Sequence, residues 1–98
     1  MIVRIVKLKF QYKHISTFKT IFENSKQTIL SQKGCRKLEL LQDSNDECTF
    51  FTYSYWDTEE DLNTYRDSEW FKTVWASTKV LFQEKPMAWS TKKLDELK

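Results

Sequence analysis

Residues 48–56, CTFFTYSYW, carry heavy side chains on both sides of a single strand. Side chains alternate across an extended segment, so Phe50, Thr52 and Trp56 share one face and Phe51, Tyr53 and Tyr55 share the other. Aromatic and β-branched content marks the run as a strand. Residues 2–10 repeat the theme: Ile2, Val6, Leu8 and Phe10 take one side, and Val3 and Ile5 put apolar groups on the other. A sheet built from such strands has no face suited to water. One face must meet helices, and the other must meet something equally apolar.

The covering helices are legible as a change of period. Between about residues 14 and 33, Ile15, Phe18, Phe22 and Ile29, flanked by Ile21 and Leu30, form a stripe at helical spacing. Gly34 directly after Lys33 reads as a C′ glycine behind a cation in the last turn. A strand over 35–42 follows, and Asp43, Ser44, Asn45 and Asp46 supply turn chemistry before the strand at 48–56. Thr58 can cap the next helix, with Glu59, Glu60 and Asp61 in its dipole-favoured first turn and Leu62 and Tyr65 on its buried side. Asp67 or Ser68 offers a second cap. A stripe of Phe71, Val74, Trp75, Thr78, Leu81 and Phe82 then runs to about residue 83. Pro86 ends it and opens a last strand over 87–94.

The order is β-α-β-β-α-β with a split second helical part, which is the ferredoxin-like arrangement of an α+β fold. The chain of 98 residues is long enough for one domain, residues 1–98. Its one glycine and one proline leave room only for short loops. Pairing of two copies through the bare apolar sheet face predicts a homodimer.

Composition excludes several partners. Net charge is +2 and the lysines are scattered, so no basic stripe suits nucleic acid. No apolar run reaches the ~18 residues a membrane span needs. The N-terminal segment, with Arg4, Lys7 and Lys9 among its apolar residues, is a strand pattern rather than a leader. The C-terminal LDELK ends on Lys98 and does not read as a retention signal. The expected compartment is the cytoplasm. Cys48 is expected opposite the Leu41 region, about six residues from Cys35 and ~20 Å away along the strand. A disulfide needs Cα atoms within ~7 Å, so two free thiols are expected, in keeping with a reducing compartment.

The chemistry open to the chain is narrow. The sole histidine is His14, and the cysteines lack CxxC spacing, so no His- or Cys-rich metal site is expected. A single glycine rules out a Gly-rich phosphate loop and any cofactor bound through one. The acidic cluster Asp57, Glu59, Glu60 and Asp61 is accounted for by helix capping. What remains is an aromatic set, Tyr53, Trp56, Tyr65, Trp70, Phe71 and Trp75, with Arg66 beside Tyr65. Such a set between helix and sheet is either core or the wall of a pocket for a flat apolar molecule.

Three segments, GCRKLELLQD (34–43), FFTYSYWDTEEDLNTYRDSEWFKTVW (50–75) and KPMAWS (85–90), resemble the antibiotic biosynthesis monooxygenase family, specifically its quinol monooxygenase-like members. The resemblance covers nearly the whole chain in the same element order. It implies a dimeric α+β barrel and oxygenation of a quinol or polyphenol without metal or flavin. On this reading Phe22, Tyr53 and Trp75 bind the substrate, and Tyr65 or Arg66 polarises its phenolate. Many quinol-type members carry an acidic residue where this chain has Ser54. A haem-degrading branch of the fold uses a first-strand Asn, a Trp and a His. Here the Trp and His positions hold Tyr65 and Trp75, and the first strand has no Asn, so no haem is expected. The alternative is a non-catalytic dimer that binds a small ligand or serves in a stress response.

Overall fold

The computed structural model describes all 98 residues, Met1–Lys98. Its elements are β1 (Ile2–Lys9), a 3-10 turn (Tyr12–His14), α1 (Ile15–Leu30), β2 (Cys35–Gln42), β3 (Thr49–Trp56), α2 (Glu59–Arg66), α3 (Glu69–Lys79) and β4 (Met87–Lys92). The strands form one antiparallel sheet in the order β2-β3-β1-β4, the ferredoxin-like order. The helices cover one face. No helix is long and apolar enough to cross a membrane.

The caps of α2 and α3 follow the sequence. Thr58 accepts the Asp61 N–H at 3.1 Å, and Ser68 accepts the Phe71 N–H at 3.1 Å. Other boundaries differ from expectation. The first helix stops at Leu30, with Ser31 as its C-cap and no cation in its last turn. The Ser31 hydroxyl and the Gln32 amide both donate to the Thr28 carbonyl, which closes the helix early. Gly34 instead sits in a second turn, where the Cys35 N–H reaches the Gln32 carbonyl at 3.0 Å.

Gly34 has φ +82°, and a Cβ there would lie 2.6 Å from Asp61 Cγ and 2.7 Å from Asp61 Cβ. Left-handed backbone and the wall of α2 both demand glycine. Gly34→Ala is expected to lower unfolding stability by about 2–4 kcal/mol, read by urea denaturation.

Helix α3 ends at Lys79, short of residue 83. Leu81 and Phe82 leave the helical stripe to hold the end of β1. Gln11 N–H bonds the Leu81 carbonyl, Gln83 N–H bonds the Lys9 carbonyl, and Phe10 bridges Phe82. The β2–β3 hairpin is also wider than expected. Leu41 faces Phe51, not Cys48, because the loop before Thr49 is built from side-chain turns. Asp43 accepts the Asn45 N–H, and Asp46 accepts both the Cys48 N–H and the Thr49 hydroxyl. Cys35 lies opposite Trp56, at the far end of β3 from Cys48, and both thiols are free.

The register decides where the core is dense. On the helix side, one row holds Phe50 and Leu8, and another holds Trp56 and Ile2. These large groups seed two packed clusters. Leu8, Phe10, Phe18, Phe50 and Leu81 form one, and Cys35, Trp56 and Leu62 form the other. Between them run two rows of smaller groups, Thr52–Val6–Ala88 and Ser54–Arg4–Ser90. The helices bridge this gap without filling it.

Candidate functional site

The unfilled gap is a cavity of about 380 Å³. That is within the ordinary range for a small-molecule site, roughly 300–1,000 Å³. The sheet floor supplies Arg4, Val6, Leu38, Thr52 and Ser54. Helix α1 supplies Phe18, Ile21, Phe22 and Ser25, and α2 supplies Leu62, Tyr65 and Arg66. Phe71, Val74, Trp75 and Thr78 come from α3, and Ala88 from β4. Arg66 and Ala88 are exposed and belong to the rim, whereas Arg4 is half-buried on the floor.

A continuous run of rings backs one side of the space, which Tyr65, Phe71 and Trp75 line directly. Trp56 stacks on Tyr65 at 5.2 Å, and Phe71 meets the Tyr65 ring edge-on at 5.0 Å. Phe71 and Trp75 lie parallel at 6.0 Å, and Trp75 tilts against Phe82 at 5.6 Å. Such contacts fix ring orientations and add to burial. The walls are therefore set before any ligand arrives.

Several polar groups on the wall are already engaged. The Ser25 hydroxyl donates to the Ile21 carbonyl, and the Thr78 hydroxyl to the Val74 carbonyl. Ser54 accepts the Trp56 indole N–H at 2.9 Å in a buried position. Two guanidiniums and the hydroxyls of Tyr65 and Thr52 remain. Arg4 donates to the Ser90 hydroxyl at 3.0 Å, and neither Arg4 nor Arg66 pairs with a carboxylate. No carboxylate, imidazole, amine or thiol lines the cavity. Burial, and then the like charge of Arg66, pull Arg4 below the usual arginine range.

Burial, with a smaller contribution from Cys35, pushes the Tyr65 phenol well above its usual value of 10.0. Tyr65 is thus neutral at physiological pH and can donate a hydrogen bond but not take a proton. The shift also couples to stability. Above about pH 10 the unfolded Tyr65 ionises while the folded one keeps its proton, so stability is lost as pH rises. Urea unfolding between about pH 10 and 12 is expected to show the wild type losing up to ~1.4 kcal/mol per pH unit relative to Tyr65→Phe.

Of the residues expected at the site, Phe22, Tyr65, Arg66 and Trp75 lie together on the cavity wall. Tyr53 does not. It faces Ile5 and Glu39 in the register, on the opposite side of β3 from Thr52 and Ser54, and it turns away from the cavity. Its expected role in holding the substrate is corrected on that ground. Arg4 was not anticipated, although its parity with Ile2, Val6 and Leu8 was a usable signal. His14 sits at the N-cap of α1, outside the cavity. No group of three or more His, Cys, Asp or Glu side chains converges on a point that could hold a metal ion.

The sequence matches the antibiotic biosynthesis monooxygenase family over residues 1–76. No curated protein matches the chain. Among solved structures it resembles a candidate antibiotic biosynthesis monooxygenase from Nitrosomonas europaea, at TM-score 0.89 and 17% identity over 95% of this chain and 89% of that one. It also resembles an antibiotic biosynthesis monooxygenase (TM-score 0.89, 13% identity, 97% and 100% covered). A third similar structure is Rv0793 from Mycobacterium tuberculosis (TM-score 0.89, 14% identity, 99% and 98% covered). At these identities the structural likenesses speak for the fold.

Proposed function

Since the chain belongs to the antibiotic biosynthesis monooxygenase family, we propose that it oxygenates a quinol or another electron-rich aromatic in the cavity between helices and sheet. The observation that carries this reading is the composition of the wall: stacked aromatic rings, two guanidiniums without counter-ions, and no acidic or basic relay. Hydroquinone and dioxygen balance to a hydroxyquinone and water. One oxygen atom enters the ring and the other leaves as water. The four electrons come from the quinol and the ring C–H bond, so no external reductant is needed.

The residues then have simple duties. Trp75 and Phe22 hold the ring and exclude water from it. Arg66 at the rim and the neutral Tyr65 hydroxyl favour the phenolate, the form that gives an electron to oxygen most readily. With no base on the wall, the substrate proton passes to water at the mouth. The rate is therefore expected to rise with pH through a single inflection that follows the substrate's own phenol. An oxygen electrode with a panel of benzo- and naphthoquinols tests this. Uptake above autoxidation supports the reading, and none across the panel counts against it.

The missing base also favours a second reading, a protein that binds an aromatic without turning it over. Saturable quinol binding with no oxygen uptake would select it. In either reading two copies pack through the outer sheet faces. The support is a face carrying Ile5, Phe51, Tyr53 and Tyr55, together with Leu41 and Trp89, each 43% exposed.

A further inference from the structure

We infer that Arg4 anchors an anionic group of the ligand, so that the cavity takes a planar aromatic bearing an oxyanion at neutral pH. The inference deepens the reading of this cavity as a ligand site and rests on it. Arg4 stands on β1, a strand flanked by β3 and β4, and its row on the helix side is Ser54–Arg4–Ser90. Half-buried there, the guanidinium has lost part of its hydration, which a partner in the cavity would replace. Of the five N–H donors of a guanidinium, the chain engages Arg4 through the Ser90 hydroxyl alone.

Arg36 shows what a partnered arginine does in the same molecule. It grips Asp57 through both Nε and Nη2, at 2.9 and 2.6 Å. Arg4 and Arg66 have no such partner, although the chain contains 14 acidic residues. The acidic side chains are elsewhere, and the cavity wall carries two positive charges and no negative one. The field of Arg66 reaches Arg4. An oxyanion between them would relieve that repulsion and supply the missing acceptor. The surrounding rings Phe71 and Trp75 suit a flat hydrocarbon body behind that charge.

The test compares 2-naphthoate with 2-naphthalenemethanol, a neutral molecule of nearly the same shape, by isothermal titration calorimetry at low salt. Naphthoate is expected to bind the wild type at least ~10-fold more tightly. The preference should fall to about twofold or less in Arg4→Met and be partly kept in Arg4→Lys, which retains a cation should the methionine variant fail to fold. Equal binding of both probes to the wild type overturns the anion assignment and leaves the cavity reading standing. A preference that survives in a folded Arg4→Met overturns the assignment to Arg4. Binding of neither probe overturns the inference whatever the oxygen assay shows. Absence of quinol-dependent uptake as well would overturn the cavity reading with it.

Discussion

Val6→Phe is expected to cut quinol-dependent oxygen uptake at least ~100-fold while leaving the melting temperature unchanged or higher. Val6 lies in the Thr52–Val6–Ala88 row of the floor and packs against the Phe10 cluster. A phenyl ring there points into empty space rather than into a filled core. Overpacking normally costs about 1–3 kcal/mol because neighbours must move. Here the void accepts the ring, and new apolar contact offsets the change at roughly 25 cal/mol per Å². The same ring occupies the volume a substrate needs. Ala88→Phe, at the rim, makes an independent second variant. Loss of activity together with loss of folding would say that the gap is packed more tightly than its lining implies.

The second large effect concerns the outer sheet face. Ile5 pairs with Tyr53 on one side and Trp89 on the other, and this row crosses the middle of that face. Leu41, Met87 and Trp89 are 43%, 53% and 43% exposed. Among them sit a few polar groups: Glu39 accepts the Tyr55 hydroxyl, Lys37 lies over the Tyr55 ring, and Lys7 stands between Phe51 and Met87. Exposed apolar groups grouped on one sheet face suit coverage by a second copy. The wild type is expected to sediment as a dimer at micromolar concentration. The double variant Ile5→Asp, Trp89→Asp should raise the dimer dissociation constant more than ~100-fold, because each copy buries two unpaired carboxylates in the interface. Its melting temperature should also lose the concentration dependence expected of the wild type. A wild type that sediments as a monomer at all concentrations would leave the outer face unexplained.

The elements were legible in the sequence because their signals are local. Periods of two and three to four residues, the Thr58 and Ser68 caps and Pro86 each report on a few neighbours. The errors fall where distant segments decide. Leu81 and Phe82 fit the α3 stripe, yet the end of β1 draws them into backbone bonds instead. The hairpin register depended on how many residues the Asp43 and Asp46 side chains would hold in the loop. A second long-range register, that of β1 against β3, places Ser54 beside Arg4 and Thr52 beside Val6, so the cavity itself could not be read before it was known.

Tyr53 is a different case. Alternation along β3 already set it against Phe50, Thr52 and Trp56, but the recurrence of aromatic residues drew it into the expected site. Arg4 was hidden by the opposite habit, since it is one of three cations in β1, with Lys7 and Lys9, and cations in a strand read as surface residues. Only the pairing of β1 with strands on both sides shows that it stands over the floor of a cavity.

The measurement that bears most directly on the proposed chemistry is the fate of labelled dioxygen. Purified protein would be supplied with a naphthoquinol under 18O2, with Val6→Phe as the control for autoxidation, and the product weighed by mass spectrometry. A hydroxyquinone that has gained one 18O atom is expected, formed by the wild type and not by the variant. A quinone without label, accompanied by hydrogen peroxide, or equal product from both proteins, would contradict it.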